Sequence, residues 1–283
     1  MSIKRFFKVI LVCGVLAVFT LQSCMQPAET SNREISSLLA DTTVLLKENS
    51  QESPTCHIKI NFAYLLAESK NDSIARHINR TLQRVAFGNK YETTTLENVI
   101  MDVENGYITN YRKDLLPYYE EDIKKGLGKE EIPPMYMYEY GISSELKNVH
   151  DSIYTYSVVS YEYTGGAHPN TYLNWININA NSGKELKKED VFKNGCEKQL
   201  VSLIGKQLLA EVNSRLRTDT ITSMQGLWEN GVLLDVDLYV PENFLITDEG
   251  IKFLYNRYEI APYVMGDFQL TVPYEEIKKF IKL

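Results

Sequence analysis

Tyr161-Glu162-Tyr163-Thr164-Gly165-Gly166-Ala167-His168-Pro169-Asn170 is a reversal between two runs of strand character. Ile153 to Tyr163 enters it, with Tyr154, Tyr156 and Val158 alternating against Ile153, Thr155, Val159 and Tyr161. Thr171 to Asn179 leaves it through the alternation Trp175-Ile176-Asn177-Ile178-Asn179. A side-chain period of two marks a strand, and a Gly-Gly pair supplies the backbone freedom that a tight turn between antiparallel strands needs. Both faces of the entering strand carry aromatic or β-branched residues, so it is expected to be covered, at least partly, on each side.

Upstream of Pro133-Pro134 the period is 3.6 instead of 2. After a first strand at Ile58 to Leu66, Asn71-Asp72-Ser73 offers capping oxygens to a helix carrying Ile74, Ile78, Leu82 and Val85 and stopping at Gly88. Thr94-x-x-Glu97 reads as a capping box for a second helix with Leu96, Val99, Ile100, Val103, Tyr107 and Tyr111 along one side, kinked or restarted at Pro117. A further strand is expected at Met135 to Ile142. Downstream of the reversal, Asn181-Ser182-Gly183 is a turn, and Glu197 to Leu216 is a helix with the stripe Leu200, Val201, Ile204, Leu208, Val212 and Leu216. Strands are expected at Val232 to Val240, Phe244 to Thr247, Ile251 to Tyr255 and Asp267 to Val272, with a positive φ at Gly250 and a short closing helix after Pro273. The order of elements predicts an α+β fold: a mainly antiparallel sheet packed with a few amphipathic helices, in two intimately joined subdomains. It does not favour a doubly wound nucleotide-binding fold.

The N-terminus speaks about location. Lys4, Arg5 and Lys8 precede an apolar run, Val9 to Phe19, that is short for a membrane span and reads as a signal peptide. It ends in Leu21-Gln22-Ser23-Cys24, which resembles a bacterial lipobox. That resemblance implies cleavage after residue 23, lipidation of Cys24 and a membrane partner through the acyl chains. A plain secretory cleavage site is the competing reading and needs no cysteine. Residues 24–56, rich in Ser, Thr, Glu and Gln, read as a tether with one short docking segment. Loss of residues 1–23 removes three basic side chains and no carboxylate, leaving ten more Asp and Glu than Lys and Arg. Such a balance points away from nucleic acid and toward cationic partners, or simply toward solubility. For Cys56 and Cys196 the sequence leaves a disulfide and two buried thiols equally open.

Three motifs together resemble one family: the Tyr161-x-Tyr163-Thr-Gly-Gly-Ala-His168 stretch, Ser182-Gly183-Lys184-Glu185-Leu186 with Asp190-Val191-Phe192, and Tyr258-Glu259-Ile260-Ala261-Pro262-Tyr263 through Val272-Pro273-Tyr274. They are similar to the RsiV-like extracytoplasmic domain of unknown function, preceded by the smaller domain found with it in PdaC-like proteins. The resemblance implies an N-terminal PdaC/RsiV-like subdomain at 57–165 and the RsiV-like domain at 166–283. It also implies a cell-envelope location and, from RsiV, lysozyme as a ligand. The PdaC chemistry belongs to a separate deacetylase domain whose metal motif is not found here.

Among candidate sites, His168 with Glu162, Tyr161 and Tyr163 nearby in sequence offers an imidazole for acid–base work on cell-wall glycan. The competing reading is conformational: Gly165 and Gly166 permit the turn and His168 hydrogen-bonds the loop. Tyr258 and Tyr263 lie in a loop that is apolar for a connection, and with Tyr161, Tyr163, Gly165, Gly166 and His168 they form the candidate binding set. Asp235 and Asp237, two apart on an expected strand, share a face that is either a cation site or solvated. His57, His77, His150 and His168 have no paired metal spacing, and no cofactor or metal is expected. The sequence thus favours a noncatalytic, lipid-anchored envelope protein binding a basic protein such as lysozyme or peptidoglycan. A glycan hydrolase or deacetylase using His168 and Glu162 is the alternative.

Overall fold

The computed structural model describes residues 33–50, 52–69, 71–128, 132–150 and 152–282. The expected signal peptide and Cys24 lie outside them. Two strands open the fold, β1 (Ile35–Leu45) and β2 (Thr55–Leu65), antiparallel and in one-to-one register from Ile35↔Leu65 to Leu45↔Thr55. Within the expected tether over 24–56, β1 replaces a tether with a strand at Ile35–Leu45, and residues 24–32 lie outside the described residues. The inward face of β1, Leu38, Ala40 and Val44, packs on the core, while Leu39, Asp41 and Thr43 point to solvent, so an outer face of mixed polarity disguises a strand.

Helix α1 (Ser73–Phe87) starts as expected, with the Asp72 carboxylate accepting from the Ala75 N–H at 3.0 Å. Helix α2 (Leu96–Lys124) runs unbroken through Pro117, held by the buried Tyr111, Leu115 and Tyr119 around it. Its cap is Thr95, whose side chain makes no cap bond, so the Thr94 box does not form. Gln83 donates to the carbonyls of Tyr91 and Thr94 and fixes that approach segment instead. Then follow β3 (Tyr138–Val149), β4 (Ile153–Tyr163), β5 (Asn170–Asn179) and the two-residue β6 (Glu185–Leu186). The sheet order is β1-β2-β3-β4-β5-β6, antiparallel except for the parallel β2–β3 pair that α1 and α2 bridge. Both helices cover one face, burying Ile58, Ile60, Phe62, Tyr154, Tyr156 and Ile178 with Ile78, Leu82 and Val99.

A short α3 (Lys188–Val191) leads to α4 (Glu197–Leu216), whose buried stripe is Leu200, Ile204, Leu208 and Val212. After α5 (Met224–Glu229) the chain crosses to a second sheet, β7 (Phe244–Ile246), β8 (Gly250–Tyr255) and β9 (Phe268–Pro273), closed by α6 (Tyr274–Ile277). These elements enclose a second core that includes Phe244, Phe253, Phe268 and α4, and it reaches Ile153 of the first sheet.

Val232 to Val240 is not a strand. Leu234 N–H donates to Ile260 and Val236 N–H back to Leu234, so the alternating pattern finds no strand partner and Asp235, Val236 and Asp237 stay exposed. Gly250 does not take the expected positive φ. A Cβ there would sit 2.2 Å from the Val272 carbonyl oxygen, so glycine is required by the closeness of β9. Cys56 and Cys196 are free and buried, and burial pushes the Cys56 thiol up to about 12.

Candidate functional site

The reversal between β4 and β5 spans Thr164 to Pro169, longer than the two-glycine turn the sequence suggested, and it lies against a second loop far along the chain. The His168 ring stacks on Tyr263 at 4.2 Å between centroids and 21° between planes. Tyr263 also meets the Tyr258 ring at 5.6 Å and the Arg257 guanidinium at 4.9 Å, with Arg257 donating to the Tyr263 hydroxyl at 3.2 Å. Three members of the expected binding set are thereby gathered into one aromatic shelf, with Arg257 as an unforeseen fourth.

The shelf is held from beneath. Tyr258 takes a left-handed backbone, φ 66°, that a bulky residue rarely adopts. Glu259 imposes it: its N–H donates to the Asn256 carbonyl, and its carboxylate accepts from the Asn256 N–H and, at 2.9 Å, from the Tyr239 hydroxyl. The Tyr255 hydroxyl in turn donates to the Tyr239 carbonyl. Tyr258 is 58% exposed, and Val264, next to Tyr263 in the chain, is 88% exposed. Burial beside the Glu259 carboxylate raises the Tyr239 phenol, so it stays a neutral donor to that carboxylate.

Glu162 belongs elsewhere. Its carboxylate accepts from Tyr107 of α2 at 2.8 Å, and Tyr107 stacks on Tyr140 at 4.5 Å, on the helix-covered face. The His168 Nδ1 contacts the Pro169 carbonyl at 3.1 Å. Among the described residues no hydrogen bond joins His168 to Glu162, so the acid–base pair read from sequence proximity is not assembled. Tyr161 lies on the opposite, open sheet face, where it donates to Glu139 at 3.0 Å and lines a groove of about 400 Å³ with His57, Lys59, Gly141 and Val159. In that groove His57 meets Asp41 at 2.8 Å and holds its carboxyl below the usual range. Tyr163 is half-buried at the end of β4. Gly165, with φ 76°, faces the backbone of Pro134 and Met135, and a Cβ would fall 2.1 Å from Met135 Cα, whereas Gly166 faces open space. No group of three or more His, Cys, Asp or Glu among the described residues is placed to hold a metal ion.

Residues 49–171 match the family described as deacetylase PdaC, and residues 189–275 match the protein family of unknown function DUF3298. These two matches support a PdaC-like domain-of-unknown-function family, with the PdaC-like part first and the DUF3298-like part after it. A solved DUF3298 family member from Bacteroides fragilis is similar over 90% of this chain and 95% of its own, at 29% identity and a TM-score of 0.78. A DUF3298 protein from Pseudomonas aeruginosa shares the fold at 15% identity and a TM-score of 0.54, over 89% of this chain and 96% of its own. No curated protein matches the chain. This is an extracytoplasmic-type family of unknown function. Among the described residues no helix is long and apolar enough to cross a membrane.

Sequence reading missed how the DUF3298 part is fastened to the PdaC-like sheet. β6 is too short to pair with the whole of β5, which would leave Leu173 and Trp175 with unmet backbone groups. The Asn256 amide accepts from Leu173 N–H at 2.8 Å and donates to its carbonyl at 2.9 Å, and Asn243 accepts from Trp175 N–H at 3.0 Å. Asn177 reaches the other way, donating to the Phe244 carbonyl at 2.9 Å and accepting from Ile246 N–H at 2.8 Å. Two buried side-chain amides, Asn243 and Asn256, thus stand where a further strand would run, and a third, Asn177, ties β5 to β7.

Proposed function

We propose that this protein is a lipid-anchored cell-envelope binding protein whose recognition surface is the Tyr258–Tyr263–His168 shelf with Arg257. The observation that supports this most is the strained Tyr258 backbone, fixed by Glu259, which presents a large aromatic ring to solvent where a relaxed loop would let it fold back. Tyr and Arg dominate recognition hot spots because they give wide amphipathic contact at small entropy cost. The acidic balance of the chain favours encounter with a basic protein of the lysozyme type and gives that encounter a salt dependence. Cell-wall glycan is the other ligand the shelf suits, through stacking on its tyrosines. Binding is the better-supported reading, because Glu162 is engaged by Tyr107 and not by His168.

The test is retention of lysozyme and of purified cell wall by the protein at low and moderate salt, with Tyr258→Ala and Tyr263→Ala as variants. Tyr258 is exposed, so its truncation leaves the fold intact. Loss of about tenfold or more in affinity is expected for each variant. Retention of neither ligand by the parent protein, or retention unchanged in both variants, removes the proposal.

A further inference from the structure

β1 is an outer strand of the six-stranded sheet, and its two rows of backbone groups have different fates. The bonds Leu66 N–H to Glu34 and Leu46 N–H to Pro54 set the phase of the β1–β2 ladder, so Ser36, Leu38, Ala40, Thr42 and Val44 spend their backbone groups on β2. Ile35, Ser37, Leu39, Asp41 and Thr43 direct theirs outward, and none of those groups has a partner among the described residues. Exposed edges are commonly blunted by proline, lysine, a bulge or a covering segment. This one has none of the first three: the sequence Ile-Ser-Ser-Leu-Leu-Ala-Asp-Thr-Thr-Val-Leu contains no proline and no lysine, and the register with β2 is unbroken. At its centre Leu39 is 74% exposed. The other side of the same sheet is treated differently, since Asn243 and Asn256 close β5.

We infer that β1 is a docking edge for a second copy of this chain, paired antiparallel across a two-fold axis at Leu39. The sequence is self-complementary in that register. Leu39 meets Leu39, Ser37 meets Asp41, and Ile35 meets Thr43, so the apolar residue is covered and no like charges face each other. The outward N–H groups of each copy then meet the outward carbonyls of the other. A strand from an unrelated protein would satisfy the backbone equally, but it would not carry this two-fold match of side chains. The contact area is small, so the dimer is a weak one that a shared membrane surface would favour.

The experiment uses the full chain purified in detergent. Sedimentation velocity across a concentration series is expected to show reversible dimers. Leu39→Lys, an exposed position, is expected to raise the dissociation constant about tenfold or more by setting two lysines against each other, and Ser37→Lys to lower it by facing Asp41 of the other copy. Leu39→Cys is expected to form a disulfide with itself under mild oxidation, since a hydrogen-bonded strand pair spaces its Cα atoms about 5.5 Å apart, whereas Thr43→Cys, opposite Ile35, does not. The unsubstituted chain, with Cys56 and Cys196 buried, gives the background. Monomers at every concentration overturn the inference. So do dimers indifferent to Leu39→Lys, or cross-linking no greater at position 39 than at 43.

Discussion

Arg33 and Asp72 tie the segment leading into β1 to the first turn of α1. The guanidinium spans both carboxylate oxygens at 2.8 and 3.2 Å, with side-chain exposures of 8% and 7%, and it also reaches the Ala180 carbonyl. The Arg33 bonds, with help from the Ala75 and Glu68 N–H groups, hold the Asp72 carboxyl down to about 2. A depressed folded pKa contributes stability that is present above the unfolded value, near 3.9, and is lost as pH falls toward 2. Denaturant titrations between pH 6 and 2 should therefore show about 2 kcal/mol of acid-labile stability that Asp72→Asn removes. Parallel pH profiles for parent and variant would contradict this. The capping role of Asp72 was legible in the sequence, because a capping oxygen and its helix are neighbours. The arginine partner, 39 positions upstream in a stretch read as tether, was not. The same limit applies to Asn177, Asn243 and Asn256, whose residue type suggests turns when read locally and whose work is done across the molecule.

Where an element carries one consistent period, the sequence places it well: β4 runs from Ile153 to Tyr163 and α4 from Glu197 to Leu216 as read from alternation and stripe. β1 fails that reading because only half of its residues meet a core and its outer row, Ile35, Ser37, Leu39, Asp41 and Thr43, mixes apolar with polar side chains. Val232 to Val240 fails in the opposite sense, with the right pattern and no neighbouring strand to bond. The reversal between β4 and β5 was located correctly, but its glycines are not equivalent. Gly165→Ala must adopt a positive φ and displace the Met135 backbone, so it is expected to cost about 2 kcal/mol or more. Gly166→Ala meets open space and should change stability by under about 0.5 kcal/mol. Thermal or urea unfolding of the two variants decides it, and equal losses would mean that the turn, not the approach to Met135, governs the site. That approach also explains the aromatic shelf: Gly165 lets the loop settle low on Pro134 and Met135 while His168 reaches Tyr263. The two segments were each singled out in the sequence, but their meeting across 95 positions is a property of the tertiary fold alone.

For the molecule as a whole, the PdaC-like sheet and the DUF3298 elements are joined by amide side chains as well as by apolar packing. Asn177 is 1% exposed and holds both Phe244 and Ile246. Asn177→Leu would bury the Phe244 carbonyl and the Ile246 N–H unpaired, at about 1–3 kcal/mol each. Calorimetry of the parent protein is expected to give one cooperative transition and the variant two, with the C-terminal part melting first. A single, merely lowered transition in the variant would show that apolar contacts alone couple the parts. The early start of the fold also sets a distance. With Cys24 as the proposed lipid attachment and Arg33 pinned to Asp72, nine peptide steps lie between the anchor and Arg33, and a chain of that length reaches at most about 30 Å. That leash is shorter than the width of a domain of this size, roughly 45 Å. The protein would therefore graze the membrane rather than patrol the space beyond it, and its ligand would have to be met at the lipid surface.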